Sequence, residues 1–269
     1  MTQIAGRTAV VTGAARGLGR GLTETLLARG AHVVAWDRDE VGLKELAGDL
    51  DAHGASLSTN VVDVTDRAAV AEAAAAVPGG AAAVSIVINN AGVVSGVPLL
   101  ELTPERIERT FAVNVLALYW VTQAFLPHLV ARGSGHVVTM ASAAGLVGVA
   151  KQTDYAASKH AAAGFAESLR AEMRTTAPGV KSTVVCPFYI DTGMFAGVHT
   201  RVPWLLPILR PSDVVARTVD AIERDRAEVM MPFAINLLSP MRVLPTGLFD
   251  RAMDLLGVNA TMEHFTGRA

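Results

Sequence analysis

Seven short apolar runs recur along this chain, each parted from the next by a stretch of helical character, and that alternation leaves few folds open. Thr8–Thr12, His32–Asp37, Leu57–Asp63, Val84–Asn89, His136–Ala141, Lys181–Pro187 and Glu228–Met231 read as strands. Most are continuously apolar, as strands are when both faces of a sheet are covered. Between them, Gly17–Arg29, Val41–Ala52, Asp66–Ala76, Thr103–Ala131, Thr153–Thr175 and Ser212–Arg224 read as helices. Thr103 is placed to cap one of these with Pro104 at its first position, and Ser212 to cap another. Strand–helix alternation implies right-handed crossovers. The expected fold is therefore α/β: a doubly wound, seven-stranded parallel sheet in the order 3-2-1-4-5-6-7, with helices on both faces. With 269 residues and no repeat, linker or low-complexity segment, a single domain over 1–269 is expected.

Composition narrows the function classes. Hydrophobic residues make up 51% and charged residues 18%, enough apolar material for a large core and too much for a disordered chain. The formal net charge is -2 with no long basic run, so no nucleic-acid partner is expected. Cys186 is the only cysteine, which fits a reducing, cytoplasmic location. The histidines lack paired ligand spacing, so no metal is expected. Met1–Arg7 is short and polar, leaving no room for a signal peptide before the first strand. Pro203, Pro207, Pro232, Pro240 and Pro245 break the longest apolar regions, and no clean membrane span is expected.

The first strand runs directly into Thr12-Gly13-Ala14-Ala15-Arg16-Gly17-Leu18-Gly19. Glycines there let the backbone turn tightly and approach a pyrophosphate, while the following helix offers free N–H groups and its positive end. The second strand ends on Asp37. A carboxylate at that place accepts hydrogen bonds from both hydroxyls of an adenosine ribose and repels a 2′-phosphate, which favours NAD. Arg16 and Arg38 can each pair with a phosphate, so NADP stays open.

The T-G-x-x-x-G-x-G pattern resembles that of the short-chain dehydrogenase/reductase family, and further marks follow in order over nearly the whole chain. Asp63-Val64 resembles the pair that contacts adenine, and Asn89-Asn90-Ala91-Gly92 the segment after the fourth strand. Asn114, Ser142 and Tyr155-Ala156-Ala157-Ser158-Lys159 resemble the catalytic asparagine, serine and Y-x-x-x-K. The resemblance implies a Rossmann-type fold and an NAD(P)-dependent alcohol dehydrogenase/reductase, working as a homodimer or homotetramer. It also implies that Asn90, Ala91 and Gly92 line the cofactor with Gly13, Arg16, Gly17, Leu18 and Gly19. Many family members carry Pro-Gly where this chain has Pro187-Phe188. Cys186-Pro187-Phe188, Asp191-Thr192-Gly193-Met194-Phe195 and the terminal His264-Phe265-Thr266-Gly267-Arg268 resemble the branch of retinol and some hydroxysteroid dehydrogenases.

The residue types suit hydride chemistry. Tyr155 and Lys159 are four apart on a helix and share a face. An ammonium about 5 Å away at an effective dielectric of about 20 is worth roughly 3 kcal/mol, about 2 pKa units, which is expected to lower the phenol toward a working base. Ser142, just past the fifth strand, can hydrogen-bond the oxygen on which charge develops. The resemblance adds that Lys159 binds the nicotinamide ribose and that Asn114 holds a water linking Lys159 to solvent. Thr192 can bond the carboxamide. Cys186 reads as a small buried hydrophobe rather than a nucleophile.

Ligands of doubly wound sheets sit beyond the strands' C-terminal ends, so Gly193–Arg210 is expected to cover the substrate. Its Met194, Phe195, Trp204, Leu205, Leu206 and Ile208 suit a lipophilic alcohol such as a retinoid, a steroid or a long-chain alcohol. The same side chains would equally suit a subunit contact. The apolar tail Met231–Val258 completes the pocket, forms an oligomer surface, or makes peripheral contact with a membrane. The rival to an enzyme is a non-catalytic, nicotinamide-binding redox sensor or scaffold. It would bind cofactor without consuming it.

Overall fold

The computed structural model describes residues 1–51 and 56–267. In chain order the elements are β1 (Thr8–Thr12), α1 (Gly17–Ala28), β2 (His32–Asp37), α2 (Glu40–Asp51), β3 (Leu57–Val61), α3 (Arg67–Ala75) and β4 (Val84–Asn89). There follow α4 (Pro104–Phe111), a π-helical segment (Ala112–Leu116), α5 (Ala117–Arg132), β5 (Gly135–Met140) and α6 (Thr153–Thr176). The chain continues through β6 (Val180–Pro187), α7 (Pro211–Glu223), β7 (Glu228–Met231), α8 (Leu238–Met241) and α9 (Thr246–Leu255). The expected helix end at Ala52 and the terminal Arg268 lie outside the described residues.

The strands form one seven-stranded sheet in the order β3-β2-β1-β4-β5-β6-β7. Every pairing is parallel, with Val11 opposite Ala35 on one side and Ile88 on the other. The apolar runs are continuous because each face has its own helical layer. On one face, Ala9 and Val11 of β1 pack with Leu22 and Leu26 of α1, Leu46 of α2 and Val219 of α7. On the other, Val10 packs with Val70 of α3, Phe125 and Leu129 of α5 and Met173 of α6. Trp36 of β2 meets Phe125 at 5.6 Å between ring centroids. By length and composition Pro104–Arg132 would suffice to cross a membrane. Its Val121, Phe125 and Leu129 are instead buried against the sheet.

Several boundaries shift by a residue or two from the sequence reading, and four of the differences have a clear local reason. β3 stops at Val61 rather than Asp63, because Asp63 Oδ1 accepts from the Thr65 backbone N–H at 2.9 Å and the Thr65 hydroxyl at 2.7 Å, closing a turn. Asp66 stands outside α3 as its cap, accepting from the N–H groups of Ala68 and Ala69. Ser212 does not cap α7: the helix begins one residue earlier, at Pro211, whose fixed φ suits a first position. Thr103 does cap α4, yet the long helix that follows is not continuous α-helix. Its hydrogen bonding widens to a π turn around Asn114.

Candidate active site

The loops that leave β1, β4, β5 and β6 converge at the C-terminal edge of the sheet around one cavity of about 530 Å³. Its walls run from Gly13, Arg16 and Asp37 at one end to Leu205, Ile235 and Met253 at the other, with Ser142, Tyr155 and Lys159 between. Topology dictates that placement, since the strand order reverses beside β1 and leaves a crevice there.

The glycine turn forms one end. An added Cβ on Gly19 would overlap the Gly13 carbonyl, so α1 packs against the turn only because this residue has no side chain. Arg16, at the N-cap of α1, supplies no side-chain acceptor to the first-turn N–H groups, which leaves them for an anionic ligand. Across the cleft lies Thr192, whose Cβ would be 3.5 Å from a Cβ added to Gly17. Asp37 is buried and holds the turn: its Oδ2 accepts from Ala15 N and its Oδ1 from Asp39 N, each at 3.0 Å. A carboxylate has further lone pairs, so ribose hydroxyls can still be accepted. Arg16 lies 3.5 Å from Asp39, and Arg38 lines the cavity with Leu18, Asp63 and Val64.

The loop after β4 is pinned from both sides. Asn90 Nδ2 donates to the carbonyls of Thr12 at 2.9 Å and Gly13 at 3.2 Å, so this side chain clamps β1 to β4 while the residue still borders the cavity with Ala91 and Gly92. Thr12, which the sequence reading treated only as the start of the turn, is the second clamp. Its hydroxyl accepts from Asn90 N at 3.0 Å and Ala91 N at 3.1 Å. Asn114 is fully buried; its Oδ1 accepts from Val93 N, and its Nδ2 donates to Val93 O and to Ser158 Oγ, all at 2.9 Å. Gly92 sits between Asn114 and Lys159: a Cβ there would lie 3.5 Å from both Asn114 Oδ1 and Lys159 Nζ. The π turn therefore delivers a side chain into the site, as such turns often do.

Tyr155 and Lys159 both lie on the first turns of α6, and both are buried. Lys159 Nζ donates to the Met140 carbonyl at 2.7 Å and stands 5.8 Å from the centre of the Tyr155 ring. Burial lowers Lys159 to about 8. The expected depression of Tyr155 is not what this site produces: burial pushes the phenol well above its usual range, and the hydrogen bond from Ser142 offsets that only in part. Desolvation of the charged form dominates, and Tyr189 and Cys186 push in the same direction. Ser142 Oγ also accepts from Ala144 N at 3.1 Å, which orients it. Cys186 is fully buried, and burial pushes its thiol up to about 12, which suits packing and not nucleophilic attack.

Beyond Tyr155 the walls turn apolar, with Val147, Val149, Phe188, Leu206, Leu238 and Val258 prominent. The expected lid contributes Met194, Phe195, Leu205 and Leu206 to the cavity, whereas Trp204 and Ile208 face outward. The C-terminal segment straps this lid down: Thr266 N donates to Ala196 O at 2.9 Å, and a Cβ on Gly197 would overlap the His264 carbonyl. The apolar tail divides. Ile235, Leu238 and Met253 reach the pocket, and Phe233, Val243 and Leu255 stay exposed.

Comparison with known proteins agrees with this geometry. Residues 7–202 match the family described as short chain dehydrogenase. Over 272 residues the chain is 40% identical to Epidermal retinol dehydrogenase 2 of Mus musculus, covering 98% of this chain and 87% of that protein. It is 37% identical over 244 residues to Estradiol 17-beta-dehydrogenase 11 of Homo sapiens, covering 90% and 80%. Among solved structures, a short chain dehydrogenase/reductase from Burkholderia phymatum in complex with NAD superposes with a TM-score of 0.82 at 28% identity, over 90% of this chain and 95% of that one. A short chain dehydrogenase from Burkholderia cenocepacia J2315 in complex with NADP does so with a TM-score of 0.79 at 30% identity, over 93% and 98%. The chain belongs to the short-chain dehydrogenase/reductase family and is an NAD(P)-binding oxidoreductase.

Proposed function

We propose that this protein interconverts a lipophilic alcohol and its carbonyl, with NAD as the preferred cofactor and Tyr155 as the acid/base. The observation that carries the reading is the single cavity that joins the glycine turn, Ser142, Tyr155 and Lys159, and a long apolar end. A hydroxyl presented from that apolar end meets Ser142 and Tyr155 where the cofactor's end of the cleft begins. The names of the retinol and estradiol dehydrogenases among its relatives support the same substrate class.

The cofactor, when bound, accepts or returns the hydride. The remaining work falls to the chain. Ser142 donates a hydrogen bond to the reacting oxygen, and Tyr155 gives or takes its proton. Burial keeps Tyr155 protonated, the form needed to protonate a carbonyl oxygen. Oxidation of an alcohol needs the phenolate, which the Lys159 ammonium and a cationic nicotinamide both favour. Met140 accepts the hydrogen bond of Lys159, and Asn114 holds Val93 beside Gly92, the glycine that borders Lys159. Asp37 reads the adenosine ribose.

The test is a turnover screen of retinoid, steroid and long-chain alcohols that follows absorbance of the reduced nicotinamide. Consumption of NAD with one of these classes is expected. Cofactor binding with no turnover of any of them, in either direction, would contradict the reading.

A further inference from the structure

Among the described residues, the buried side-chain polar atoms that no protein group bonds are Thr23 Oγ1, Trp36 Nε1, Thr139 Oγ1 and Gln152 Oε1. Only Gln152 also borders the cavity. It is fully buried and sits at the N-cap of α6, three residues before Tyr155.

The direction of the Gln152 amide is set by a chain of hydroxyls. Thr261 Oγ1 lies 2.8 Å from the Val258 carbonyl, which can only accept, so the threonine spends its one proton there. Thr261 must then accept from Tyr189 Oη, 2.8 Å away, which spends the tyrosine proton in turn. Tyr189 is left with a lone pair, and the group facing it at 3.2 Å must be the Gln152 amide nitrogen. The opposite orientation would set two oxygens against each other with no proton between them. Gln152 Oε1 is therefore fixed as an acceptor. A buried acceptor left without a partner is destabilising, so such an atom beside a ligand cavity marks a place where a ligand supplies the donor.

Its surroundings make that donor selective. Past Ser142 and Tyr155, the Gln152–Tyr189 pair is the polar feature in a wall otherwise built from side chains such as Val149, Phe188 and Phe195. We propose that Gln152 is a specificity-determining residue that accepts a hydrogen bond from a second hydroxyl of the substrate, remote from the carbon being oxidised. The ligand class is a lipophilic molecule with two hydroxyl groups, rather than a hydrocarbon chain bearing one. The proposal rests on the alcohol oxidoreductase reading above and adds what the far end of the substrate carries.

The experiment uses the full chain loaded with nicotinamide cofactor and a ladder of straight-chain α,ω-diols, each against the 1-alkanol of equal length. Binding is measured by calorimetry in the Tyr155→Phe background, which does not depend on turnover, and kcat/KM is measured separately in the wild type. At the chain length that reaches Gln152, the diol is expected to bind about tenfold or more tighter than its alkanol, the factor that follows from about 1.4 kcal/mol of a satisfied acceptor. Gln152→Met keeps the length of the side chain and removes the acceptor, and the ratio should fall to about one or below. No diol preference at any length in the Gln152-containing protein would overturn the proposal without recourse to a variant. Retention of the preference in Gln152→Met would also overturn it. Diol-selective binding without turnover would uphold Gln152 and sink the enzymatic reading; turnover without selectivity would do the reverse.

Discussion

Asn114 Nδ2 donates to Ser158 Oγ at 2.9 Å, and that bond ties the π turn to the helix bearing Tyr155 and Lys159. Ser158 Oγ in turn donates a hydrogen bond to the Tyr155 carbonyl at 2.7 Å. The serine inside Y-x-x-x-K thus connects Asn114 to the Tyr155 backbone while bordering none of the cavity itself. Ser158→Ala leaves one buried Asn114 N–H without a partner, at a cost of about 1–3 kcal/mol. Urea unfolding should show a loss of that size with an unchanged m-value. A loss under about 0.5 kcal/mol, the range of changes away from such networks, would show that Asn114 does not depend on Ser158.

Asp37 should decide between the two cofactors. Its carboxylate already holds the N–H groups of Ala15 and Asp39, and a 2′-phosphate placed beside it would face both charge repulsion and a dry wall. NAD should bind more tightly than NADP in calorimetry, and Asp37→Ala should narrow the gap. The mutation should also weaken NAD, because the turn loses its anchor at Ala15. An unchanged ratio of affinities would show that Asp37 does not read the ribose.

Lys159 should leave a pH signature in stability. Its pKa is lowered from an ordinary 10.5 to about 8 by burial. Between those values the unfolded chain binds more protons than the folded one at this residue, so this group makes stability rise as pH rises from about 8 to 10.5. The rise is on the order of 3 kcal/mol at most. Below pH 8 the folded protein bears the full cost of the buried ammonium. In Lys159→Met that rise should vanish, so the stability difference between variant and wild type should shift in favour of the wild type across the window. A difference that stays constant with pH would contradict a buried, depressed Lys159.

Much of this was legible in the sequence because burial on both faces of a parallel sheet leaves an unmistakable record: uninterrupted runs such as Val33–Trp36. The glycine turn was legible for a related reason, since only glycine at position 19 lets α1 approach the Gly13 carbonyl. The π turn was not. Residues 112–116 have ordinary helical composition, and what widens the helix there is a three-dimensional arrangement in which Asn114 satisfies both backbone groups of Val93. The tail helices α8 and α9 were hidden because Pro240 and Pro245 read as breakers, whereas Pro240 lies within α8 and Pro245 stands as the N-cap of α9. Tyr155's electrostatics were misread for want of one quantity, the depth of burial. Spacing gives the distance to Lys159 but not the desolvation that opposes it. Gln152 gave no signal, since an unpaired amide oxygen exists only once Tyr189 and Thr261 are in place.

The central claim, that Tyr155 carries the proton in hydride exchange at this site, meets its most direct test in Tyr155→Phe. The substitution removes one oxygen and leaves the ring against Phe195, 5.8 Å away between centroids, and the Lys159–Met140 bond in place. Cofactor affinity should therefore stay within a few-fold of wild type by calorimetry. Turnover of the best alcohol found in the screen should fall by about 10²–10⁴, the range for a lost general acid/base. Intact cofactor binding with the rate reduced by at least about a hundredfold is the predicted result. Retention of more than about a tenth of the wild-type rate, too small a loss for an acid/base, would contradict the account.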